Sequence, residues 1–278
     1  MTDYGAATEA AIDRVVTACG RYGNASIIGL AGVPGTGKSY IAAIAAQRYT
    51  GEPLLVRSVQ FHRSYTYEEF IEGMRLDQGG AVEVVSGVFL DWNQRALLDP
   101  DNRYVLLIDE LTRADMSTVL GELMTYLEHR ERPFFTMYGR RDVFVAPNLV
   151  VLATYNPTDR SALDLDNALI RRMRILPFQP DMAQLREMLS GAALSAACLD
   201  RLCGVFQACR EAFPDTYESL MPFGHGIFSQ VAKEQPDLHL LWEERLRFLL
   251  QRPSLDPHPF RQVIEQAYPW RNSDHVEE

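Results

Sequence analysis

The 278-residue chain contains no apolar run close to the roughly 20 residues that a helix needs to cross a bilayer. Its N-terminal residues, MTDYGAATEAAIDR, lack the basic and apolar regions of a secretory signal peptide. These two absences predict a cytoplasmic protein without a membrane contact.

Cysteines are also few, and the 37 acidic residues outnumber the 27 lysines and arginines. The four cysteines (Cys19, Cys198, Cys203 and Cys209) have no C-x-x-C spacing and no histidine cluster nearby, which argues against a zinc site. The last three are expected to pack as small apolar side chains. A formal net charge of -10 argues against a protein whose whole surface binds nucleic acid, so any DNA contact must be local or made through a partner.

Five short apolar runs indicate the fold class. The runs are SIIGLAG, PLLVRSV, YVLLIDE, NLVVLATYN and RILPF, with helical patterns between most of them. This alternation predicts an α/β fold in which helices cover both faces of a five-stranded parallel sheet. Residues 8–20, before the first run, have the pattern of an amphipathic helix.

The pattern changes after Pro180. The residues that follow have helical periodicity and no strand signal up to about Tyr268. The sequence therefore predicts an α/β domain over residues 1–180, an all-helical domain over 181–270 and a disordered tail over 271–278.

The segment GVPGTGKSY joins the first apolar run to an alanine-rich helical pattern. It matches G-x-x-x-x-G-K-S/T in the strand-to-helix context which that pattern requires. A phosphate chain would lie against bare backbone N–H groups, Lys38 would neutralise the β- and γ-phosphates, and the Ser39 hydroxyl would ligate magnesium. The alternative is a glycine-rich turn with an incidental lysine. The predicted nucleotide-binding residues are Gly32, Val33, Pro34, Gly35, Thr36, Gly37, Lys38, Ser39 and Tyr40.

Polar side chains end the third and fourth runs. Asp109 would hold the magnesium with Ser39, and Glu110 would orient and deprotonate the attacking water; a solvated acidic turn is the alternative. Asn156, at the end of the next run, can bridge this water and the γ-phosphate, although asparagine after a strand is also a common turn residue.

Arg171 and Arg172 end a short helical segment before the fifth run. A cation at a helix end can simply complement the helix dipole. The alternative, favoured for the pair, is an arginine finger that reaches the γ-phosphate of a neighbouring subunit.

Together, these elements resemble an AAA+ ATPase module followed by a helical lid. VQFHRSYTYEEFIEG (residues 59–73), LIDELTRADMSTVLGELMTYLE and NPTDRSALDLDNALIRRM further resemble the McrB family, the NTPase subunit of modified-cytosine restriction. FGHGIF and LWEERLRFLL are similar to the C-terminal pattern of that family. The resemblance covers residues 27–250.

The resemblance implies a sheet order of 5-1-4-3-2, a ring that is most simply a hexamer, and ATP or GTP with Mg²⁺ as cofactors. It also implies that His225 approaches the nucleotide and that Asp159 and Arg160 contact an accessory subunit, although a packed histidine and a structural ion pair are ordinary alternatives. The chain departs from the family at ELTRAD, where an asparagine-rich segment is usual, and at Tyr155, where methionine is usual. McrB proteins can carry an N-terminal DNA-reading domain, and the short segment before the first run predicts that this chain does not select its own target.

Two segments have the alternation of β-hairpins. Residues 81–92 alternate around Ser86 and Gly87, and residues 134–147 alternate around Gly139. In the related MoxR and McrB branch such hairpins project toward the pore or a partner. Arg140 and Arg141 would then touch an acidic partner or a phosphate backbone, unless the turn is simply solvated.

The leading hypothesis is a ring-forming NTP hydrolase that drives an McrC-like subunit, a nuclease or another effector in restriction or anti-phage defence, with DNA contacted indirectly if at all. The alternative is a MoxR-type chaperone that remodels a protein partner and does not contact DNA. A small-molecule kinase is less consistent with Glu110 and Asn156, which suit water activation.

Overall fold

The computed structural model describes residues 4–157, 167–192, 194–212, 223–230, 238–250 and 259–271. Asp159, Arg160 and most of the predicted tail lie outside these residues. The larger of two compact units comprises Ala10–Gly32 and Lys38–Pro177, and the smaller comprises Met1–Glu9, Val33–Gly37 and Phe178–Glu278. Within the described ranges, no helix is both long and apolar enough to cross a membrane.

The larger unit is built on a five-stranded parallel sheet of order β2-β5-β8-β1-β9. Numbered by the five apolar runs, this order is 5-1-4-3-2, so the predicted fold class is confirmed. The strands along the chain are β1 (Ile27–Ala31), β2 (Val56–Gln60), β3 (Glu72–Leu76), β4 (Val82–Ser86), β5 (Tyr104–Asp109), β6 (Phe134–Phe135), β7 (Asp142–Val143), β8 (Leu149–Tyr155) and β9 (Met173–Pro177).

Burial explains why three of the runs are almost wholly apolar. The central strands β1, β5 and β8 are buried along nearly their whole length, whereas the edge strands β2 and β9 are partly exposed. A parallel sheet covered on both faces favours such continuous runs. The second run enters the sheet later than predicted, because Pro53–Leu55 forms a 3₁₀ turn and proline has no N–H to donate to a neighbouring strand.

Short helices connect the strands. The helix predicted over residues 8–20 forms and buries Ile12 and Val15. The helices of this part of the chain are α1 (Ala6–Tyr22), α2 (Lys38–Thr50), α3 (Tyr67–Phe70), α4 (Val88–Leu98), α5 (Met116–Leu120), α6 (Leu123–Tyr126) and α7 (Asn167–Arg172).

The first hairpin was predicted at the wrong place. The strands that pair are β3 and β4, and the turn lies at Asp77, whose Oδ1 accepts from the N–H groups of Gly79 and Ala81 at 2.8 Å. Gly80 supplies the positive φ of 82°. Residues after Gly87 form α4 instead of a second strand, because burial there recurs with a helical period at Phe89, Trp92, Asn93 and Ala96.

The second predicted hairpin forms as the short pair β6 and β7. Its turn is held by Glu72, which is 0% exposed and whose Oε1 accepts from the N–H groups of Tyr138 and Gly139 at 2.7 Å. Arg141 donates to the Ser86 hydroxyl at 3.2 Å, so it is bound to the other hairpin, while Arg140 is exposed with a φ of 49°.

The smaller unit has helices and no strand among its described residues. Its helices are α8 (Met182–Leu189), α9 (Ala196–Glu211), α10 (Leu238–Leu241), α11 (Arg247–Leu250) and α12 (Pro259–Ala267), and a π-helical turn, Trp242–Leu246, joins α10 to α11. Asp181 caps α8 by accepting from the Gln184 N–H at 2.9 Å. Cys203 and Cys209 are buried in the core of this unit, alongside Leu202 and Phe206.

Candidate active site

The nucleotide loop, residues 32–40, joins β1 to α2. Gly35 and Gly37 have φ values of 80° and 78°, in the left-handed region that favours glycine. Thr36 is buried, and its hydroxyl donates to the Val33 carbonyl at 2.9 Å. Lys38 begins α2, so the segment runs into a helix N-terminus, where backbone N–H groups and the helix dipole favour an anion.

Ser39 and Asp109 are brought together at the carboxyl end of the sheet. Asp109 is the last residue of β5, and its Oδ1 accepts from the Ser39 hydroxyl at 2.7 Å. A hydroxyl and a carboxylate are oxygen ligands of the kind that Mg²⁺ prefers. The pair predicted to hold the metal is therefore adjacent, although its function is a prediction from the sequence.

Glu110 follows β5 with an unusual backbone. Its φ and ψ are 57° and 45°, a left-handed conformation that costs a non-glycine residue about 1–3 kcal/mol and is concentrated at functional sites. Its Oε2 accepts from Arg113 Nε at 3.2 Å, and the carboxylate remains partly exposed. The strained backbone turns this side chain away from the direction in which a continuing strand would place it.

Thr154 was not among the site residues predicted from the sequence. This residue lies on β8 and is 2% exposed. Its hydroxyl donates to Asp109 Oδ1 and accepts from the Glu110 N–H at 3.3 Å. One hydroxyl thus links the Asp109 carboxylate and the Glu110 backbone to the adjacent strand. The available signal was its place two residues before Asn156, at the end of a strand expected beside the acidic one.

Asn156 lies at the same end of the sheet. It is buried and follows the last residue of β8, and the β5–β8 register pairs Ile108 with Ala153. The carboxyl ends of these parallel strands therefore meet beside each other, as predicted. Tyr40, the last of the predicted nucleotide-binding residues, differs from Asn156 because its side chain is exposed, on the first turn of α2.

The two arginines of α7 have different surroundings. Arg172 Nε donates to Glu128 Oε2 at 3.0 Å, and both side chains are partly buried. Arg171 is exposed, and no ion pair joins it to another described residue. The structure thus separates two residues that the sequence presented as equivalent.

His225 lies in the smaller unit, as do residues 33–37. It is buried, and its Nδ1 accepts from the Asp181 N–H at 3.4 Å. Burial lowers the pKa of His225, an effect that the Asp181 carboxylate partly opposes. The imidazole is therefore neutral near pH 7, which suits a packed histidine better than a cationic contact to phosphate.

Among the described residues, no group of three or more histidine, cysteine or acidic side chains is arranged to hold a metal. The pair Ser39–Asp109, next to Lys38, instead fits a cation whose remaining ligands would come from a triphosphate. The loop, this pair and the following acid, on a parallel sheet of this order, define a P-loop nucleoside triphosphatase.

Comparison with known proteins narrows this class. Residues 28–173, more than half of the chain, match the AAA domain of the dynein-related subfamily, and the chain belongs to this family. It is 35% identical over 185 residues to the type IV methyl-directed restriction enzyme EcoKMcrB subunit of Escherichia coli K12, covering 63% of this chain and 40% of that protein. The resemblance to McrB-like AAA+ NTPases is confirmed.

A second relative is the type II restriction enzyme BsuMI component YdiS of Bacillus subtilis 168. The identity is 25% over 183 residues, covering 51% of this chain and 53% of that protein. The chain thus spans about half or less of the length of either relative.

Proposed function

We propose that this chain is a Mg²⁺-dependent NTP hydrolase that works in a ring and drives an effector subunit of a restriction system. The observation that carries the proposal is the convergence of Ser39, Asp109, Glu110 and Thr154 at one end of the sheet. ATP is the favoured substrate and GTP the alternative. We retain residues 1–180 and 181–270 as the proposed core and lid domains.

Each residue has a proposed role in γ-phosphate cleavage. The loop amides and Lys38 hold the triphosphate, and Ser39 with Asp109 holds the metal. Bound Mg²⁺ supplies charge that stabilises the phosphoryl oxygens. Glu110 orients the water and takes its proton, and Asn156 positions the same water against the γ-phosphate.

Arg171 is our proposed finger. It is exposed, whereas Arg172 is held by Glu128 within its own subunit. An arginine that acts on the neighbouring subunit's phosphate must be able to extend from the surface of its own subunit. Such an arginine raises the rate of hydrolysis by about 10³ or more. Assembly would then complete the active site.

The two relatives support the proposal that this chain acts on an effector subunit. Both are named as components of restriction enzymes, one of them a subunit. We therefore propose that the ring acts on a nuclease-type or McrC-like subunit in the cytoplasm, in antiviral defence, and that DNA is contacted through that subunit.

Hydrolysis of ATP and GTP, measured against protein concentration, tests the shared site. We expect Mg²⁺-dependent phosphate release whose rate per subunit rises as sedimentation shows the monomer converting to a ring. A monomer that is as active as the assembled form contradicts the proposal.

Mixing two inactive variants identifies the finger. Lys38→Ala has an intact Arg171, and Arg171→Ala has an intact nucleotide loop, so mixed rings contain some complete sites. We expect the mixture to regain activity that neither variant has alone. If Arg172→Ala is inactive alone and regains activity when it is mixed with Lys38→Ala, while Arg171→Ala stays active by itself, our assignment is wrong.

A further inference from the structure

A short segment of the smaller unit, residues 223–228, is bonded to the nucleotide loop by backbone alone. The Gly224 N–H donates to the Pro34 carbonyl at 2.7 Å, and the Gly226 N–H donates to the Gly35 carbonyl at 2.7 Å. All four residues belong to the same compact unit. No charged side chain takes part in these two bonds.

Both glycines are required by this close approach. A Cβ at Gly224 would lie 2.3 Å from the Gly35 oxygen and 2.5 Å from the Thr36 nitrogen. A Cβ at Gly226 would lie 2.9 Å from the Gly35 oxygen. Neither glycine has a φ in the left-handed region, so it is contact with the loop, and not backbone conformation, that excludes a side chain.

The segment is fixed on its other side by the core of the smaller unit. Phe223 and Phe228 are buried, and the Phe228 ring meets Phe206 edge-on, with centroids 6.2 Å apart. His225, between the two glycines, is buried and accepts from Asp181. The glycine N–H groups are therefore presented to the loop from an anchored support.

Peptide geometry gives these bonds a consequence for phosphate binding. In a trans peptide, a carbonyl and the following N–H point in opposite directions. Because the carbonyls of Pro34 and Gly35 point toward the segment of residues 223–228, the N–H groups of Gly35 and Thr36 point away from it. Those N–H groups belong to the loop that would surround the phosphates.

We propose that Gly224 and Gly226 are positioning residues for the nucleotide: they set the direction of the loop amides and connect occupancy of the loop to the lid segment through backbone bonds. This inference rests on the proposed nucleotide binding. It also gives the FGHGIF segment a role in which His225 anchors the segment and does not contact phosphate.

Gly224→Ala and Gly226→Ala test the inference, with Gly204→Ala as the matched control, since nothing lies within 4 Å of a Cβ at Gly204 in α9. Binding of a fluorescent ATP or GTP analogue with Mg²⁺ is measured at equilibrium. We expect Kd to rise at least about tenfold in the first two variants, and by less than about twofold in the control.

Thermal unfolding shows which variants are folded, and the milder Gly226→Ala decides the matter if Gly224→Ala does not fold. If the wild-type chain binds no nucleotide, the proposed function fails. If the wild type binds while both folded variants have its affinity or a higher one, this inference is overturned and the proposed function stands.

Hydrogen exchange provides a readout independent of hydrolysis. In the wild type, nucleotide should slow exchange in the peptide that contains residues 223–228, because the loop holds the acceptors of two of its N–H groups. This response should be absent from Gly226→Ala at saturating nucleotide. An unchanged peptide in the wild type, or an equal response in the variant, contradicts the coupling.

Discussion

The two ends of the five-stranded sheet are built for different purposes. At the amino end, Arg130 donates to the carbonyls of Gly23, Leu127, Ala146 and Leu149 at 2.7–3.2 Å. At the carboxyl end, acidic and hydroxyl groups lie together beside a strained backbone at Glu110. At one end a single side chain satisfies four backbone acceptors, whereas the other end gathers polar side chains, of which Thr154 is buried and Glu110 is partly exposed.

This difference teaches where stability and chemistry reside in one sheet. Burial lowers the pKa of Arg130 to about 10, so this side chain is still charged at neutral pH and strengthens its bonds to the carbonyls. Ligands in open α/β sheets bind outside the carboxyl ends of the strands. Substitutions at the amino end should therefore change stability, and those at the carboxyl end should change activity.

The largest effect is expected for Glu110→Gln. The amide keeps the size of the side chain but cannot take a proton from water, so hydrolysis should fall by about 10²–10⁴. The free energy of unfolding should change by less than about 0.5 kcal/mol. Phosphate release and denaturant unfolding, measured on the same preparation, check both numbers. A rate within tenfold of wild type would remove Glu110 as the base.

Arg130→Met should have the next largest effect, and it should be on stability. Four carbonyls lose their donor, so we expect the free energy of unfolding to fall by about 3 kcal/mol. Arg132→Met is the control, because Arg132 is 74% exposed and its contact to Glu131 is 3.7 Å. Equal stability of the two variants, by denaturant unfolding, would refute the structural role of Arg130.

Thr154→Val should lower kcat about tenfold and raise the Mg²⁺ concentration needed for half the maximal rate, because two hydrogen bonds at the acids are lost without a change of volume. Thr154→Ser keeps the hydroxyl and should restore both values. A Mg²⁺ titration of phosphate release makes the measurement. Identical titrations for valine and serine would mean that the hydroxyl does not position the acids.

The smallest effect is expected for Asn148→Ala, at the amino end. Asn148 Nδ2 lies 2.7–3.0 Å from the carbonyls of Ala96, Asp99 and Asn102. Losing this donor should lower the free energy of unfolding by about 1 kcal/mol and leave nucleotide affinity unchanged. A change in nucleotide affinity, with the free energy of unfolding unaffected, would contradict the assignment of the amino end to stability.

Much of the fold and part of the site were predictable from local patterns. The apolar runs indicated the five strands, and the glycines of the nucleotide loop marked a turn into a helix. The position of the first hairpin was not predictable in this way, because the alternation of β4 continues into the start of α4. Packing of Phe89 and Trp92 into the core decides that this segment is a helix.

The supporting residues of the site had no local signature. Thr154 is one of many threonines in strands, and its role comes from the register that places β8 beside β5. Gly224 and Gly226 look like ordinary turn glycines until the nucleotide loop lies against them. The difference between Arg171 and Arg172 depends on Glu128, which is 44 residues away along the chain from Arg172.

The sequence alone determined the class of fold, the nucleotide loop and the paired acids, because each is encoded by neighbouring residues whose periodicity or backbone freedom is a local property. Only the tertiary structure decided which hydroxyl holds the acids, which arginine is exposed and which glycines carry the loop. Those choices depend on contacts between segments far apart in the chain, and such contacts exist only when the sheet and the core of the smaller unit have formed.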